Sequence, residues 1–310
     1  MATQTTGTGT LSAEIRQSYD KVMLHVAIPE LFHTKYSKKN RIPKGEGVTL
    51  NWRRASLLPP ATTPLTEGVT PAASAMTVAN IQVTAQQYGN WVGFSDVVTV
   101  ASIDPLLMEN AKILGQNAGN TMDILARNAF LLGQNVQYAN GRITRGTVAT
   151  GDVITDLEIK KMVRYMKRNN AKPIPGVGGY VAIVSPETFM DLQNTDAFRL
   201  TGFYQDKNNI YEGRIISLYG VYFMETTNAG IAAGAGAGGI NVHQTLVFGD
   251  QATATVDIEQ LGLQTIYHPL GAAGASDPLN QLQTQGWKTT FAAAILNDAF
   301  MLRVEHAVTA

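Results

Sequence analysis

The segment that most constrains the fold is residues 57–71, which hold four prolines and one glycine in fifteen residues. Proline lacks a backbone donor and has a fixed φ, so this composition excludes both a helix and a central strand. The segment is too apolar for a solvated loop, because it carries Leu57, Leu58, Leu65 and Val69. A long loop inside a compact domain is usually functional. We therefore predict the tip of a long hairpin that packs on something other than its own domain.

Alternating sequences flank this segment on both sides. Val48, Leu50 and Trp52 alternate with polar residues, and a second alternation of apolar and polar residues runs over positions 79–85. A period of two is typical of strands with one buried face. The two stretches are predicted to be the arms of the hairpin.

The strongest helical pattern covers residues 104–133. Asp104 and Pro105 suit the N-cap and first-turn positions, and Gly133 is placed to end the helix. Eight apolar residues between these ends keep a spacing of three or four: Leu107, Ala111, Leu114, Ala118, Met122, Leu125, Ala129 and Leu132. A helix of this length spans about 42 Å, which suits a structural spine.

The remaining pattern mixes helices and strands. A short helix is predicted over residues 11–26, and Thr155 with Glu158 predicts a capping box that begins another helix. A buried strand is predicted at 180–184, followed by a short helix that Ser185 and Pro186 begin. Further strands are expected near 221–226, 244–249, 254–260, 284–290 and 299–306. Clustered elements of this kind indicate an α+β fold.

The composition is unusual for a monomeric protein. Charged residues make up 15% of the chain, against about 25% in a typical soluble domain. The formal net charge is zero, which favours self-association. There is no cysteine, which excludes disulfides and cysteine metal sites and fits assembly in a reducing cytoplasm. Neither a secretory signal nor an apolar stretch long enough for a membrane span is found.

The one enzyme-like motif in this sequence lacks the flanking elements that a functional site would need. Residues 234–239 spell G-x-G-x-x-G, but a dinucleotide site needs this motif between a strand and a helix, and the residues that follow are strand-like. We expect a flexible loop there instead. The five histidines share no metal-ligand spacing, and no G-x-S-x-G elbow is present. We expect no catalytic, cofactor-binding or metal-binding residues.

A basic run precedes the hairpin. Residues 31–54 carry seven lysines and arginines against one acid, Glu46. Such a run attracts nucleic-acid phosphates without reading bases, or pairs with acids of a neighbouring subunit. The candidate residues for either contact are Lys35, Lys38, Lys39, Arg41 and Lys44. The helix edge formed by Lys160, Lys161, Arg164, Lys167 and Arg168 allows the same two interpretations.

Residues 52–71, Trp-Arg-Arg-Ala-Ser-Leu-Leu-Pro-Pro-Ala-Thr-Thr-Pro-Leu-Thr-Glu-Gly-Val-Thr-Pro, resemble the extended-loop segment of one capsid protein family. This is the family of tailed-phage major capsid proteins typified by the N-four podophage. Tyr88-Gly89, the Phe-Ser-Asp of 94–96, the helix from Asp104 and the Gly-Trp-Lys of 286–288 are also similar to that family.

The resemblance implies a Hong Kong 97-type capsid fold. Its implied divisions are an N-terminal arm at 1–41, an extended loop (E-loop) at 42–100, a peripheral domain at 101–195 and 284–310 with the spine helix at about 104–133, and an axial domain at 196–283. In that fold the extended loop lies across a neighbour, which makes Leu57, Leu58, Leu65, Glu67 and Val69 the expected intersubunit contacts.

The implied partners are other copies of the chain, in pentamers and hexamers, together with scaffolding, portal and decoration proteins. The shell would enclose double-stranded DNA, held by non-specific contact, in a virion assembled in the bacterial cytoplasm. One alternative is an encapsulin-like compartment with the same fold, which encloses cargo instead of a genome. A nucleotide-binding enzyme is a remote alternative, because it depends on the glycine run alone.

Overall fold

A computed structural model describes residues 31–56, 58–101, 106–196, 198, 217–272 and 277–309. The predicted helix at 11–26, the cap at Asp104 and Pro105, and Leu57 lie outside these residues. The strands are β1 (Lys38–Ile42), β2 (Thr49–Ala55), β3 (Val78–Thr84), β4 (Gln86–Ser95), β5 (Val136–Tyr138), β6 (Tyr180–Val184), β7 (Val221–Glu225), β8 (Gly230–Ala232), β9 (Val242–Phe248), β10 (Thr253–Ile258), β11 (Gln264–His268), β12 (Leu282–Ile295) and β13 (Met301–His306). The helices are α1 (Asp96–Ala101), α2 (Leu106–Phe130), α3 (Asp156–Arg168) and α4 (Pro186–Gln193).

The spine helix α2 connects the two larger sheets of the protein. Leu114 and Ala118, near its middle, pack with Trp287 of β12. Ala126 and Phe130, near its end, pack in a second cluster with strands β6 and β9. The three-to-four spacing of small and large apolar residues gives the helix this continuous buried stripe. No helix within the described ranges is long and apolar enough to cross a membrane.

The five-stranded sheet is ordered β1-β10-β12-β11, with β4 also paired to β12. β4 and β12 are antiparallel over ten residue pairs, from Gln86 opposite Phe291 to Ser95 opposite Leu282. Residues 86–95 therefore form part of this sheet, although the resemblance implied that they belong to the extended loop. β2 and β3 form a separate two-stranded hairpin, with Thr49 opposite Thr84 and Ala55 opposite Val78.

The six-stranded sheet is ordered β5-β13-β9-β6-β7, with β8 paired to β9. All five residues of β6 are buried, as their unbroken apolar sequence predicts. Helices α3 and α4 cover one face through Ile159, Met162, Met166 and Leu192. The domain boundary expected between residues 195 and 196 would divide this sheet. Strand β6 lies before that boundary and pairs with β7 and β9, which lie after it.

The start of α3 differs from the prediction in its capping. The helix begins next to Thr155 as expected, but the Thr155 side chain makes no capping hydrogen bond. Glu158 is buried and instead accepts hydrogen bonds from Gln137 Nε2 at 2.6 Å and Lys161 Nζ at 2.7 Å. Nearby side-chain donors have replaced the reciprocal bonds of a capping box. At α4 the predicted cap is present, since Ser185 Oγ accepts from the Thr188 backbone N–H.

Candidate assembly surfaces

The β2–β3 hairpin is joined to the protein at its base. Leu50, Trp52 and Val83 pack on a small cluster that contains Ile42 and Ile258. Further along the hairpin, Arg54 Nη1 donates to Asn297 Oδ1 at 2.7 Å, just beyond the end of β12. These contacts fix the direction in which the hairpin leaves the sheet. They do not involve its tip.

The tip of the hairpin, residues 58–71, presents apolar side chains to solvent. Leu65 is 79% exposed, Val69 63% and Leu58 53%. Glu67 is exposed beside them. Contiguous exposed apolar residues of this kind are typical of interaction surfaces. The structure therefore agrees with the expectation that the tip does not pack into its own domain.

The basic run lies on strand β1 and the turns beside it. Lys35, Lys38, Lys39, Arg41 and Lys44 are all exposed. Arg41 lies opposite Asp257 in the β1–β10 pairing and donates two hydrogen bonds to its carboxylate, at 3.2 and 3.3 Å. No ion pair of the four lysines is found within the described ranges. Arg41 thus has an acidic partner in its own chain, and Lys35 Nζ lies 5.5 Å from the centre of the Tyr36 ring.

The second basic surface is the solvent face of α3. Lys161 is paired with Glu158 at 2.7 Å, and Lys160 Nζ lies 4.7 Å from the centre of the Tyr219 ring. Arg164, Lys167 and Arg168 are exposed at the end of the helix. Cations at a helix C-terminus are favoured by the helix dipole, which accounts for these residues without a ligand.

The glycine run at 234–239 does not form a dinucleotide site. A short 3-10 turn at Ala237–Gly239 leads into strand β9, so no helix begins there. The Gly236 N–H donates to Ile240 O at 3.0 Å, and the Ala237 N–H donates to Val148 O at 2.8 Å. These bonds tie the loop to residues outside it, and the expected flexibility of the loop is therefore not supported.

A buried polar cluster between α4, β9 and β13 was not predicted from the sequence. Ser185 Oγ lies 2.8 Å from His243 Nδ1, and the His243 and His306 rings stack with centres 6.2 Å apart. The His306 ring also contacts Thr245 Oγ1 at 3.0 Å and Ala307 O at 2.8 Å. Burial lowers the pKa of His306 to about 4. Burial also lowers the pKa of His243, although the neighbouring Glu187 carboxylate opposes this shift.

A second buried group lies beside these histidines on β13. Arg145 forms two hydrogen bonds to the carboxylate of Glu305, at 2.6 and 2.8 Å. Burial alone would raise the pKa of Glu305, but the bonds and charge of Arg145 and the charge of Arg303 outweigh it, so the pKa is lowered. His306 and Glu305 are fully buried, whereas Arg145 reaches Glu305 from a partly exposed turn, so both clusters attach neighbouring segments to β13. Within the described residues no group of three or more His, Asp or Glu side chains is arranged to hold a metal ion.

Several solved structures share this fold. The capsid of cyanophage P-SCSP1u is 14% identical, with 89% of this chain and 87% of that chain covered and a TM-score of 0.68. The capsid of Ralstonia phage GP4 is 13% identical, with coverage of 89% and 88% and the same TM-score. A virus-like particle from Pyrococcus furiosus is 10% identical, with coverage of 94% and 99% and a TM-score of 0.55. No match is found among curated proteins.

The family comparison covers most of the chain. The model of a family described as phage capsid protein matches residues 79–304, from strand β3 into strand β13. This span includes the spine helix and nearly all of both large sheets. The fold is the Hong Kong 97-like capsid fold that the sequence resemblance implied. The chain therefore belongs to the phage capsid protein family, whose members are structural proteins and not enzymes.

Proposed function

We propose that this chain assembles with copies of itself, as pentamers and hexamers, into the closed icosahedral head that encloses a phage double-stranded DNA genome. One observation carries the proposal: a member of the phage capsid protein family projects a hairpin whose apolar tip is exposed on the single chain. The low fraction of charged residues and the zero net charge support burial against many neighbours.

The intersubunit contact is assigned to the hairpin tip, through Leu58, Leu65, Glu67 and Val69, together with Leu57. Burying an aliphatic side chain contributes about 1.5–3 kcal/mol, before the cost of ordering the segment. Because the tip is exposed on the single chain, this gain arises only when a neighbour covers it. The tip would favour assembly and leave the stability of the free subunit nearly unchanged.

The two sheets suggest the division of the chain into domains. We assign the five-stranded sheet and α2 to the peripheral domain, and the six-stranded sheet with α3 and α4 to the axial domain. The extended loop is then the β2–β3 hairpin, and residues 1–37 are assigned to the N-terminal arm, because β1 pairs with β10 in the five-stranded sheet. This assignment keeps every paired strand within one domain.

Lysines 35, 38, 39 and 44 form no ion pair within the described residues, and we assign them to contacts outside the chain. They suit either the phosphates of packaged DNA or acidic groups of a neighbouring subunit, because both are anionic. Scaffolding, portal and decoration proteins, and a close relation to the N-four podophage family, belong to the same proposal and are supported by the sequence resemblance alone.

A cellular compartment is the second candidate function. The similarity of fold to the virus-like particle from Pyrococcus furiosus favours it, because that particle shows the fold in a source other than a tailed phage. The contents of the particles distinguish the two candidate functions. Particles isolated from infected cells would contain double-stranded DNA in a head, and protein cargo in a compartment.

Electron microscopy of the purified protein tests the proposal directly. The proposal predicts closed particles of uniform size, built from rings of five and six subunits. A protein that remains monomeric at high concentration, with and without proteins from the same phage, would contradict it.

A further inference from the structure

One face of the five-stranded sheet carries a groove of about 480 Å³. Trp287 of β12 packs against α2, so its neighbours Gly286 and Lys288 point to the opposite face. On that face the groove is lined by residues of β4, β11 and β12, including Trp91, Ile266 and Thr284. The groove therefore lies on the side of the sheet that the spine helix leaves open.

The floor of the groove is bare backbone. Gly286 lies opposite both Trp91 of β4 and Ile266 of β11, so these two side chains stand on either side of it. Two strand spacings separate them by about 10 Å, which is wide enough for one extended chain. A Cβ on Gly286 would lie 2.7 Å from Trp91 Cβ, and one on Gly89 would lie 2.6 Å from Trp287 O. Neither position can take a side chain, and the floor stays open.

Trp91 is the main apolar surface of the groove. Its side chain is 64% exposed, which is unusual for the largest apolar side chain. Glycines lie two residues away on each side along β4, at positions 89 and 93. Glycine inside a strand often marks a place where another backbone approaches closely. The face of the indole is thus available to a second segment.

The hairpin tip has the composition that such a groove accepts. Residues 58–71 contain four prolines, at positions 59, 60, 64 and 71. Proline-rich segments adopt the extended polyproline conformation, which docks in aromatic-lined grooves because little conformational entropy is lost. The exposed side chains of Leu58 and Leu65 add apolar surface to this segment.

The charges of the two surfaces are complementary. Glu67 is the only charged residue of the tip. Lys288 is the only lysine or arginine that lines the groove, and it has no ion pair within the described residues. The one acid of the tip and the lysine of the groove provide one matched contact.

The tip of a chain points away from the groove of the same chain. The hairpin lies beside the C-terminal end of β12. At its base, Ala85 directly precedes Gln86, the β4 residue opposite Phe291. Further along the hairpin, Arg54 donates a hydrogen bond to Asn297. The groove lies at the other part of that strand, around residues 284–288. Nine residues from Gly286 to Ile295 span about 30 Å of strand. The segment in the groove must therefore come from a second copy.

We propose that the groove beside Trp91 receives the proline-rich hairpin tip of a second copy of this chain, with Glu67 directed to Lys288. The proposal builds on self-assembly as the proposed function. It adds the surface that receives the tip and the chemistry of recognition, which is proline and leucine stacked on an exposed indole over a glycine floor.

The absence of cysteine allows a direct test by cross-linking. A Leu65→Cys/Gln87→Cys chain carries one thiol at the tip and one at the rim of the groove. After assembly and treatment with a short bis-maleimide, we expect a ladder of covalent oligomers on a denaturing gel. The matched control is Leu65→Cys/Ile143→Cys, because Ile143 is 84% exposed but lies outside the groove. This control should give no ladder.

A third chain adds Trp91→Ala to the first pair, and the yield of cross-linked product should fall about tenfold, as expected for an aromatic hot spot. Particles that give no 65–87 product, an equal ladder in the control, or a yield unaffected by Trp91→Ala would overturn the docking and leave assembly intact. A wild-type chain that forms no particles would overturn the proposed function, and the docking with it.

Discussion

His33 and Asp123 form a fully buried pair between the segment before β1 and the spine helix. Asp123 Oδ1 accepts a hydrogen bond from the His33 backbone N–H at 2.7 Å, and Asp123 Oδ2 lies 2.9 Å from His33 Nδ1. Neither side chain is exposed to solvent. A single carboxylate thus fixes both the backbone and the ring of His33. This contact anchors the chain that leads into the basic run and the hairpin.

Replacing Asp123 with alanine is predicted to destabilise the free subunit strongly. The change leaves the His33 N–H and ring nitrogen buried without their partner, and each such group costs about 1–3 kcal/mol. Urea unfolding followed by circular dichroism measures the loss. The control is Asp257→Ala, which removes the exposed pair with Arg41 and should change the midpoint little. Equal midpoints for the two variants would contradict the prediction.

Acid is predicted to destabilise the subunit through His306. The folded protein keeps this ring neutral until its pKa of about 4, whereas the unfolded chain takes up a proton near 6.5. The unfolded state therefore binds more protons between these values. Stability is fully present above pH 6.5 and falls by about 3 kcal/mol as the pH drops to 4.

Urea midpoints measured from pH 4 to pH 7 test this effect. His306→Gln should make the profile flatter in this window, because the variant has no ring to protonate. His243, whose pKa is also lowered, contributes a remaining slope of the same sign. A profile that is unchanged in the variant would show that His306 is not the group responsible.

The lysines of the basic run are predicted to act between subunits. They stand on and beside strand β1, which is the edge of its sheet and comes just before the hairpin. Changing Lys35, Lys38, Lys39 and Lys44 to glutamine should impair assembly, and variants with one or two changes should assemble only at low salt. Arg41 is kept so that its pair with Asp257 stays intact. Normal particles that retain less DNA would instead assign the lysines to the genome.

The sequence predicted the elements whose stabilising contacts are local. The alternation at 79–85 became β3, and the apolar stripe of the spine helix became α2. The helix ends at Phe130, so Leu132, predicted as the last residue of the stripe, lies beyond it and is 80% exposed. Ser185 caps α4 as its position next to Pro186 predicts. In each case a periodic pattern or a capping residue acts within a few positions along the chain.

Elements that depend on distant partners were missed or misplaced. Strand β4 contains two glycines and alternates poorly, and it is a strand because β12 pairs with it along its whole length. Strand β11 is formed in the same way. The domain boundary at residue 196 was implied by the resemblance, and β6 on one side of it pairs with β7 and β9 on the other.

The candidate surfaces show the same division. The exposure of Leu65 and Val69 could be predicted, because the prolines around them exclude regular structure in which to bury them. The groove beside Trp91 could not be predicted, since it depends on which residues of three strands lie opposite one another. The pairing of Arg41 with Asp257 likewise depends on the parallel register of β1 and β10.

Replacement of the tip tests the central claim, that the exposed hairpin tip drives assembly. Residues 56–71 are replaced by a short glycine-serine turn, and the variant is compared with the wild-type chain by sedimentation velocity and electron microscopy. Circular dichroism and the urea midpoint of the free subunit should stay close to those of the wild type, because the tip side chains are exposed in the single chain. The account predicts a folded subunit that forms no closed particles or only fragile ones. Wild-type-like particles from this variant, or an unfolded subunit, would contradict it.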